Sequence, residues 1–306
     1  MIYFIPTPIG NLDDISVRSL KLLAECKTLF CEDTRITKKL LSFLSQRHNV
    51  SFNIENFISM HSHNEDAVLS KIDKTVFDET VGYLSDAGMP GISDPGSALV
   101  RFCQENALPY EILPGANAAL LAYVTSGIEV HQFLFYGFLS HKGIERQNEL
   151  FEVLNSPYAV ILYESPHRIE KLFEELAKFG PNRQIFAIKE ATKLYEKRFL
   201  GTSIEVNDVS KTANLKGEWV VVIKPEVQSG GEPITKEDLI GKPYSFLKHY
   251  TLSEEEQAAK IDSIFTGIIW KGKISNFKKN GEVFHCDVTM YPLKNNNEEI
   301  VEYMCI

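Results

Sequence analysis

The residues with the clearest capacity for chemistry lie at positions 86–96, where the chain reads DAGMPGISDPG. Three glycines and two prolines here allow backbone angles that are closed to other residues, and fix several of the rest. Glycine also lets a ligand approach the backbone closely. A tight turn between a strand and a helix explains this composition equally well. Such turns usually span about 2–6 residues, however, and longer ones are usually functional, so we interpret the segment as a ligand loop.

Similar segments recur along the chain. Two more are rich in glycine or proline, residues 6–11 and 114–117. Four others are polar and carry acids, bases or cations: residues 32–35, 63–65, 164–168 and 189–193. Side chains of these types can perform general acid–base catalysis or bind a polar ligand. Each loop alone is weak evidence, but together they exceed what a solvated surface requires.

The elements around these loops predict how the loops are brought together. The strand-like runs of the first part are residues 2–5, 28–31, 57–60, 80–84 and 110–113. Those of the second part are residues 133–138, 158–163, 184–189 and 219–224. Strands alternating with helix-like segments predict two α/β domains, residues 1–113 with a largely parallel sheet and residues 114–227. Ligands of open α/β sheets bind beyond the carboxyl ends of strands, so a cleft between the domains is the expected site.

The composition changes after Pro225. A linker-like segment, QSGGEP, is followed by a short helix pattern and three strand-like runs that end the chain. Asn280-Gly281 is a hairpin signal, and alternating apolar residues from Phe284 to Met290 indicate a half-buried strand. Residues 228–306 are therefore predicted to be a linker and a small α+β module with an antiparallel sheet.

Several kinds of chemistry lack their sequence signatures. The chain has no GxxxxGK[ST] loop, no GxGxxG after its first strand, no HExxH and no paired CxxC. We therefore expect no metal site. Five cysteines without metal-type spacing favour a reducing cytosol. No apolar run approaches the ~20 residues of a membrane helix, and the N-terminus lacks a signal-peptide pattern, so a cytoplasmic protein is expected.

Six motifs resemble one family closely. They are PTPIGNLDDIS at 6–16, CEDTR at 31–35, HSHNE at 61–65, SDAGMPGISDPG at 85–96, PGANAALLAYVTSG at 114–127 and YESPHRI at 163–169. In this order and spacing they are similar to the 16S ribosomal RNA (cytidine-2′-O)-methyltransferases of the tetrapyrrole methylase superfamily, over about residues 1–225. The resemblance implies a two-domain tetrapyrrole methylase fold with S-adenosylmethionine (SAM) in the cleft. It also implies a homodimer that methylates a cytidine ribose in the decoding region of 16S rRNA, within the small ribosomal subunit.

The resemblance also implies where the cofactor binds. The expected contacts come from the glycine–proline loop, the PG motif and the wall of the second domain: Pro8, Gly88, Ile92, Ser93, Asn117, Ala118, Tyr163 and Ala191. In this interpretation the loop of residues 86–96 binds through its backbone and shape. Asp86 and Asp94 then fix the loop and are not catalytic.

A ribose hydroxyl is a poor acid and benefits from a nearby base or cation. The candidates are Lys189, Glu190, Glu32, Asp33 and His63, of which we expect Lys189 or Glu190 to act. A surface ion pair explains Lys189 and Glu190 about equally well, and a helix-start hydrogen bond is at least as good an explanation of His63.

An RNA partner requires a local basic patch, because the formal net charge is −9. The residues expected to contact RNA are Arg35, His63, Arg168 and Lys193. Further lysines and arginines of the second domain would extend this patch, with Tyr195 available for stacking on bases. For Arg168 an ordinary ion pair is the stronger alternative.

The tail departs from the methylase pattern. Residues 237–306, with DLIGKP and WKGKISNFKKNGE, are similar to the second half of a PAS sensory domain. The first half, which supplies most of a PAS ligand pocket, has no room here, so we expect neither haem nor flavin. Two other functions stay open: a SAM-dependent methylase of small tetrapyrrole-type molecules, and a non-catalytic SAM- or RNA-binding protein whose tail mediates interactions.

Overall fold

The computed structural model describes residues 1–93, 95–225, 270–277, 283–294 and 300–305. The chain divides into two compact units. The first unit comprises Met1–His141 and Ser156–Pro225, and the second comprises Lys142–Asn155 and Glu226–Ile306. None of the helices within the described ranges is long and apolar enough to cross a membrane. The predicted linker, the Asn280-Gly281 hairpin and Asp94 lie outside the described residues.

The first sheet of the first unit has five strands, all parallel, in the order β3-β2-β4-β1-β5. The strands are β1 (Ile2–Phe4), β2 (Thr28–Cys31), β3 (Asn56–Ser59), β4 (Val81–Leu84) and β5 (Tyr110–Ile112). The helices between them are α1 (Val17–Glu25), α2 (Thr34–His48), α3 (Glu65–Leu69) and α4 (Ser97–Glu105), with 3₁₀ turns at Leu12–Asp14 and Lys74–Asp78. The predicted parallel α/β arrangement is confirmed.

Helices cover both faces of this sheet. Neighbouring residues of a strand point to opposite faces, so each strand contributes side chains to two buried clusters. Phe30 packs in one buried cluster with Leu99 of α4. Leu29, the preceding residue, packs in a second cluster with Leu23 of α1. With both faces buried, the strand ends are the part of the sheet that is left for ligand loops.

The second sheet has the order β6-β7-β10-β8-β9. Its strands are β6 (Phe133–Gly137), β7 (Ala159–Glu164), β8 (Gln184–Lys189), β9 (Lys197–Thr202) and β10 (Trp219–Ile223). Only β6 and β7 pair in parallel, and the other three pairings are antiparallel. The helices α5 (Ala118–Ser126), α7 (Ile169–Phe179) and α8 (Ser203–Ser210) belong to the same unit, whereas α6 (Gly143–Leu154) belongs to the second unit.

Strand β9 was not predicted from the sequence. Its residues, KRFLGT, begin with two cations and include a glycine, and Lys197, Arg198 and Leu200 are exposed. It is an edge strand, so it lacks the apolar run that marks the buried strands.

The second unit contains a three-stranded antiparallel sheet of β11 (Trp270–Phe277), β12 (Val283–Lys294) and β13 (Ile300–Cys305). The predicted antiparallel module is therefore present. All strands of the first two sheets fall within residues 2–223. The exact domain boundaries, at residues 113 and 227, stay a prediction.

Candidate active site

A cavity of about 480 Å³ opens among the strand-end loops of the first unit. This volume lies within the roughly 300–1,000 Å³ that is typical of small-molecule sites. The first sheet contributes the segments after β1, β2, β4 and β5, and the second contributes those after β6, β7 and β8 together with the start of β10. The cavity therefore lies where the topology of the two sheets predicts a ligand.

The loop of residues 86–96 forms part of the cavity wall, and its shape depends on glycine. Gly88 has a φ of +80°, and a Cβ there would lie 3.1 Å from Ile9 Cγ2. Gly96 has a φ of +134°, and a Cβ there would lie 2.9 Å from the Tyr83 ring. Two backbone hydrogen bonds between Thr7 and Gly88, of 2.9 and 3.1 Å, join this loop to the loop after β1. Side chains are thus excluded where the backbone must run close to its neighbours.

Two carboxylates of the first sheet, Glu32 after β2 and Asp86 after β4, line the cavity side by side. The Asp33 amide donates to Asp86 Oδ1 at 3.3 Å. Burial raises the pKa of Glu32, the charge of Asp86 raises it further, and the nearby Asp86 amide opposes this rise in part. Burial also raises the pKa of Asp86.

The opposite wall is held by a network of ion pairs in the loop after β8. Lys193 Nζ lies 3.0 Å from Glu190 Oε1 and 2.7 Å from Glu218 Oε2. Glu190 Oε1 also accepts the Glu218 amide at 2.9 Å. Burial acts to raise the pKa of Glu190, but the Glu218 amide and the Lys193 ammonium outweigh it and lower that pKa. Glu190 and Thr192 have φ of +52° and +65°, so the network maintains a strained backbone that presents Ala191 to the cavity.

Comparison with known proteins fits this arrangement. Residues 1–207 match the family model of tetrapyrrole (corrin/porphyrin) methylases. A ribosomal RNA small subunit methyltransferase I from Campylobacter fetus subsp. fetus is 46% identical over 241 residues, which are 78% of this chain and 89% of that protein. The chain belongs to this methylase family. A second relative of the same name, from Helicobacter pylori, is 39% identical over 74% of this chain and 83% of its own length.

Solved structures agree on the fold. Diphthine synthase has a TM-score of 0.57 at 15% identity, with 73% of this chain and 89% of that chain covered. A cobalt precorrin-4 methyltransferase has a TM-score of 0.51 at 17% identity, with 73% and 94% covered. The predicted tetrapyrrole methylase fold and the methyltransferase class are thus confirmed, with SAM as the cofactor of the family. Residues 230–306 match a PAS domain model, as the tail motifs indicated.

Seven of the eight residues predicted to bind the cofactor line the cavity: Gly88, Ile92, Ser93, Asn117, Ala118, Tyr163 and Ala191. Pro8 does not, although it lies between Thr7, which pairs with Gly88, and Ile9, which is part of the lining. Asn117 also caps α5, where its side chain accepts the Leu120 amide. Direct contact between these residues and the cofactor stays a prediction.

The two residues expected to act on the hydroxyl lie elsewhere. Lys189 is buried, does not line the cavity, and donates from Nζ to the Asn214 carbonyl at 2.8 Å. Glu190 is engaged by Lys193 and Glu218, and it is not part of the lining either. The geometry disfavours the catalytic assignment of both, because Lys189 is committed to the Asn214 carbonyl and Glu190 to the ion-pair network of the loop around Ala191.

The predicted RNA contacts differ in their surroundings. The Arg168 side chain is only 16% exposed, pairs with the fully buried carboxylate of Glu164 at 2.8 Å, and donates to the Leu139 carbonyl. It therefore stabilises the loop after β7 and is poorly placed to bind a phosphate. Arg35 is highly exposed and pairs with Asp33, and His63 is exposed as well.

The sequence interpretation missed Glu218 and Trp219 as lining residues. It placed ligand loops only at the carboxyl ends of strands. Strand β10 is antiparallel to β7 and β8. Its first residue, Trp219, therefore pairs with the last residue of each, Glu164 of β7 and Lys189 of β8. An antiparallel strand thus brings its amino end to the site, and only the pairing order reveals this.

Proposed function

We propose that this protein methylates the ribose 2′-hydroxyl of a cytidine in 16S rRNA, in the decoding region of the small ribosomal subunit, with SAM as the methyl donor. The observation that carries the proposal is the 46% identity to a ribosomal RNA small subunit methyltransferase I along most of that protein's length. An enzyme with this substrate works in the cytoplasm, with the ribosome.

The charge of the cavity fits SAM. Four carboxylates line it, and the described lining includes neither lysine nor arginine. Glu164 and Glu218 pair with Arg168 and Lys193 outside the lining, whereas Glu32 and Asp86 pair with no lysine or arginine of the described residues. Such a surface favours a cation and disfavours cofactors that carry phosphates. When bound, SAM supplies a methyl group on a positively charged sulfur, which is already an activated electrophile.

The residues of the chain then have to position two reactants and exclude water, which is the main source of rate in a reaction of this kind. The glycine loop offers backbone groups at close range, and Phe138, Tyr163 and Trp219 supply apolar wall. No metal is required. Among the described residues there is also no cluster of acids, histidines and cysteines suited to a metal ion.

We assign RNA contacts to Arg35 and His63, which are exposed and follow strands β2 and β3. Lys193 is only partly exposed, and it takes part in this assignment only if RNA displaces Glu190 or Glu218 from its ammonium. Tyr195, in the same loop, is 72% exposed and offers a ring on which an unstacked base can lie. Arg168 takes no part in this assignment, because its guanidinium is committed to Glu164.

The protein is also proposed to be a homodimer. Leu120 and Val124 are exposed one turn apart on α5, and Phe133 and Leu134 are exposed on the edge strand β6. The rings of Tyr123 and Phe133 lie 4.7 Å apart, so the two elements form one apolar surface. A second copy would cover it. Sedimentation of the wild type and of Val124→Glu tests this, with a shift to monomer expected in the variant and a monomeric wild type contradicting the proposal.

The test of function is methyl transfer by the full-length protein from tritiated SAM to small ribosomal subunits of a methylase-null strain. A 2′-O-methyl group blocks alkaline cleavage of the adjacent phosphodiester, so the label is expected in an alkali-resistant dinucleotide that begins with cytidine. Label in alkali-labile nucleotides would contradict ribose methylation. SAM binding without transfer, measured by calorimetry, would favour a non-catalytic protein, and transfer to a tetrapyrrole alone would overturn the substrate.

A further inference from the structure

Three neighbouring parallel strands of the first sheet end in titratable side chains. His61 follows β3, Glu32 follows β2, and Asp86 follows β4. Cys31 pairs with Leu84 at the ends of β2 and β4, so Glu32 and Asp86 are carried to adjacent positions by the register. Both carboxylates line the cavity, and His61 does not.

The four carboxylates of the cavity differ in whether a cation neutralises them. Glu164 pairs with Arg168 at 2.8 Å, and Glu218 pairs with Lys193 at 2.7 Å. Among the described residues, no lysine or arginine forms an ion pair with Glu32 or Asp86. The Glu164 and Glu218 carboxylates are thus occupied by a guanidinium and an ammonium. Glu32 and Asp86 are the lining carboxylates that no lysine or arginine of the described residues occupies, so they are open to a substrate hydroxyl.

Their hydrogen bonds distinguish their roles. Asp86 Oδ1 accepts the amide of Asp33, the residue that caps α2, so the Asp86 carboxylate is tied to the scaffold. The Asp86 amide faces the Glu32 carboxylate and acts to lower its pKa, whereas the Asp86 charge acts to raise it. Asp86 is therefore fixed beside Glu32 and influences its proton affinity through both groups.

We propose that Glu32 is the general base that takes the proton of the ribose hydroxyl, and that Asp86 is its positioning residue. The inference rests on the proposed function. As the hydroxyl oxygen bonds to the transferred methyl carbon, the bond from that carbon to sulfur breaks and its electron pair stays on the sulfur. The hydroxyl proton passes to Glu32 and leaves from there to solvent. Negative charge lost at the carboxylate matches positive charge lost at the sulfur, so the step ends with both groups neutral.

The titration of Glu32 follows from the groups that face it. Burial is the leading effect and raises the pKa of Glu32. The charges of Asp86, from the loop after β4, and of Asp33, from the start of α2, also raise it, whereas the Asp86 amide and His61, from the loop after β3, lower it. A base must be ionised, so transfer is lost as the pH falls through this raised pKa. The acid limb of the rate profile then lies at higher pH than an ordinary glutamate would give.

The experiment compares full-length wild type with Glu32→Gln, Glu32→Asp, Asp86→Asn and a control outside the cavity, Glu105→Gln. Single-turnover methyl transfer to small subunits is measured between about pH 5 and 9, and binding of S-adenosylhomocysteine is measured by calorimetry. We expect Glu32→Gln to bind S-adenosylhomocysteine as the wild type does, but to transfer methyl groups about 10²–10⁴ times more slowly and without the acid limb of the pH–rate profile. Glu32→Asp should keep this acid limb at a reduced rate of transfer. Asp86→Asn should move the acid limb to lower pH.

Three results would overturn the proposal. The first is a Glu32→Gln variant with wild-type rate, and the second is one that loses cofactor binding in proportion to rate. The third is a pH–rate profile that loses its acid limb in Asp86→Asn and keeps it in Glu32→Gln. Asp86 would then be the general base and Glu32 the positioning residue. An inactive wild type would instead count against the proposed function, so the two failures are distinguishable.

Discussion

The two sides of the cavity place carboxylates in opposite surroundings. On the first sheet, Glu32 and Asp86 are desolvated next to each other, and the pKa of each is raised. On the second sheet, Glu190 lies between Lys193 and the Glu218 amide, and its pKa is lowered. One side keeps carboxylates that can take up a proton, and the other uses a carboxylate to hold a strained loop.

Proximity to a site therefore does not by itself identify a catalytic acid or base. A paired carboxylate stabilises its surroundings and resists protonation. An unpaired, desolvated one costs stability and gains reactivity, which is the pattern expected at functional sites.

The largest effect is expected from Gly88→Val on the first side. Valine is strained at a φ of +80°, and its Cβ would lie 3.1 Å from Ile9 Cγ2 beside the cavity. We expect calorimetry to detect no SAM binding. Gly127→Val is the matched control, because Gly127 also has a positive φ but a Cβ there meets nothing within 4 Å. Equal affinities in the two variants would mean that the glycine loop does not shape the cofactor site.

A loss of stability is expected when a paired carboxylate on the second side loses its cation. Arg168→Met leaves the fully buried Glu164 carboxylate without its guanidinium, which should lower the free energy of unfolding by about 3–5 kcal/mol. Arg35→Met removes an ion pair whose arginine is 89% exposed, and should cost less than about 1 kcal/mol. Urea denaturation measures both, and similar losses would refute a structural role for Arg168.

The smallest expected effect is a gain in the free energy of unfolding, on replacing Glu32. The raised pKa values of Glu32 and Asp86 mean that the folded state binds protons more tightly than the unfolded state. The two groups therefore reduce stability as the pH rises from an ordinary carboxyl pKa through the raised value. Glu32→Gln should unfold at neutral pH with an equal or higher free energy, a gain below about 1 kcal/mol. A clear loss of stability would show that Glu32 is a structural group.

The sequence predicted most of the fold and the cavity wall, for identifiable reasons. Buried strands such as β2 and β4 are apolar runs, and the loop after β4 is marked by glycines whose positive φ the structure confirms. Strand β9 was missed because an edge strand is partly solvated and carries charges.

The roles of charged residues were harder to predict, because they depend on distances that local pattern does not contain. The pairing of Glu164 with Arg168 spans four residues and could be read from a helix start. The pairing of Lys193 with Glu218 spans 25 residues, and it depends on β10 lying antiparallel beside β8. Without that pairing, Glu190 and Lys193 look like free functional groups.

The acid–base group is assigned to the first side of the cavity, and a matched pair of variants distinguishes this assignment from one on the second side. The same isosteric change, Glu32→Gln and Glu190→Gln, is made on the two sides, and kcat and KM for SAM are measured with small subunits at saturation. We predict that Glu32→Gln lowers kcat by about 10²–10⁴ and raises KM by no more than about tenfold, whereas Glu190→Gln raises KM and keeps kcat within about threefold. A collapse of kcat in Glu190→Gln alone, with KM unchanged, would contradict the account and return the base to the second side.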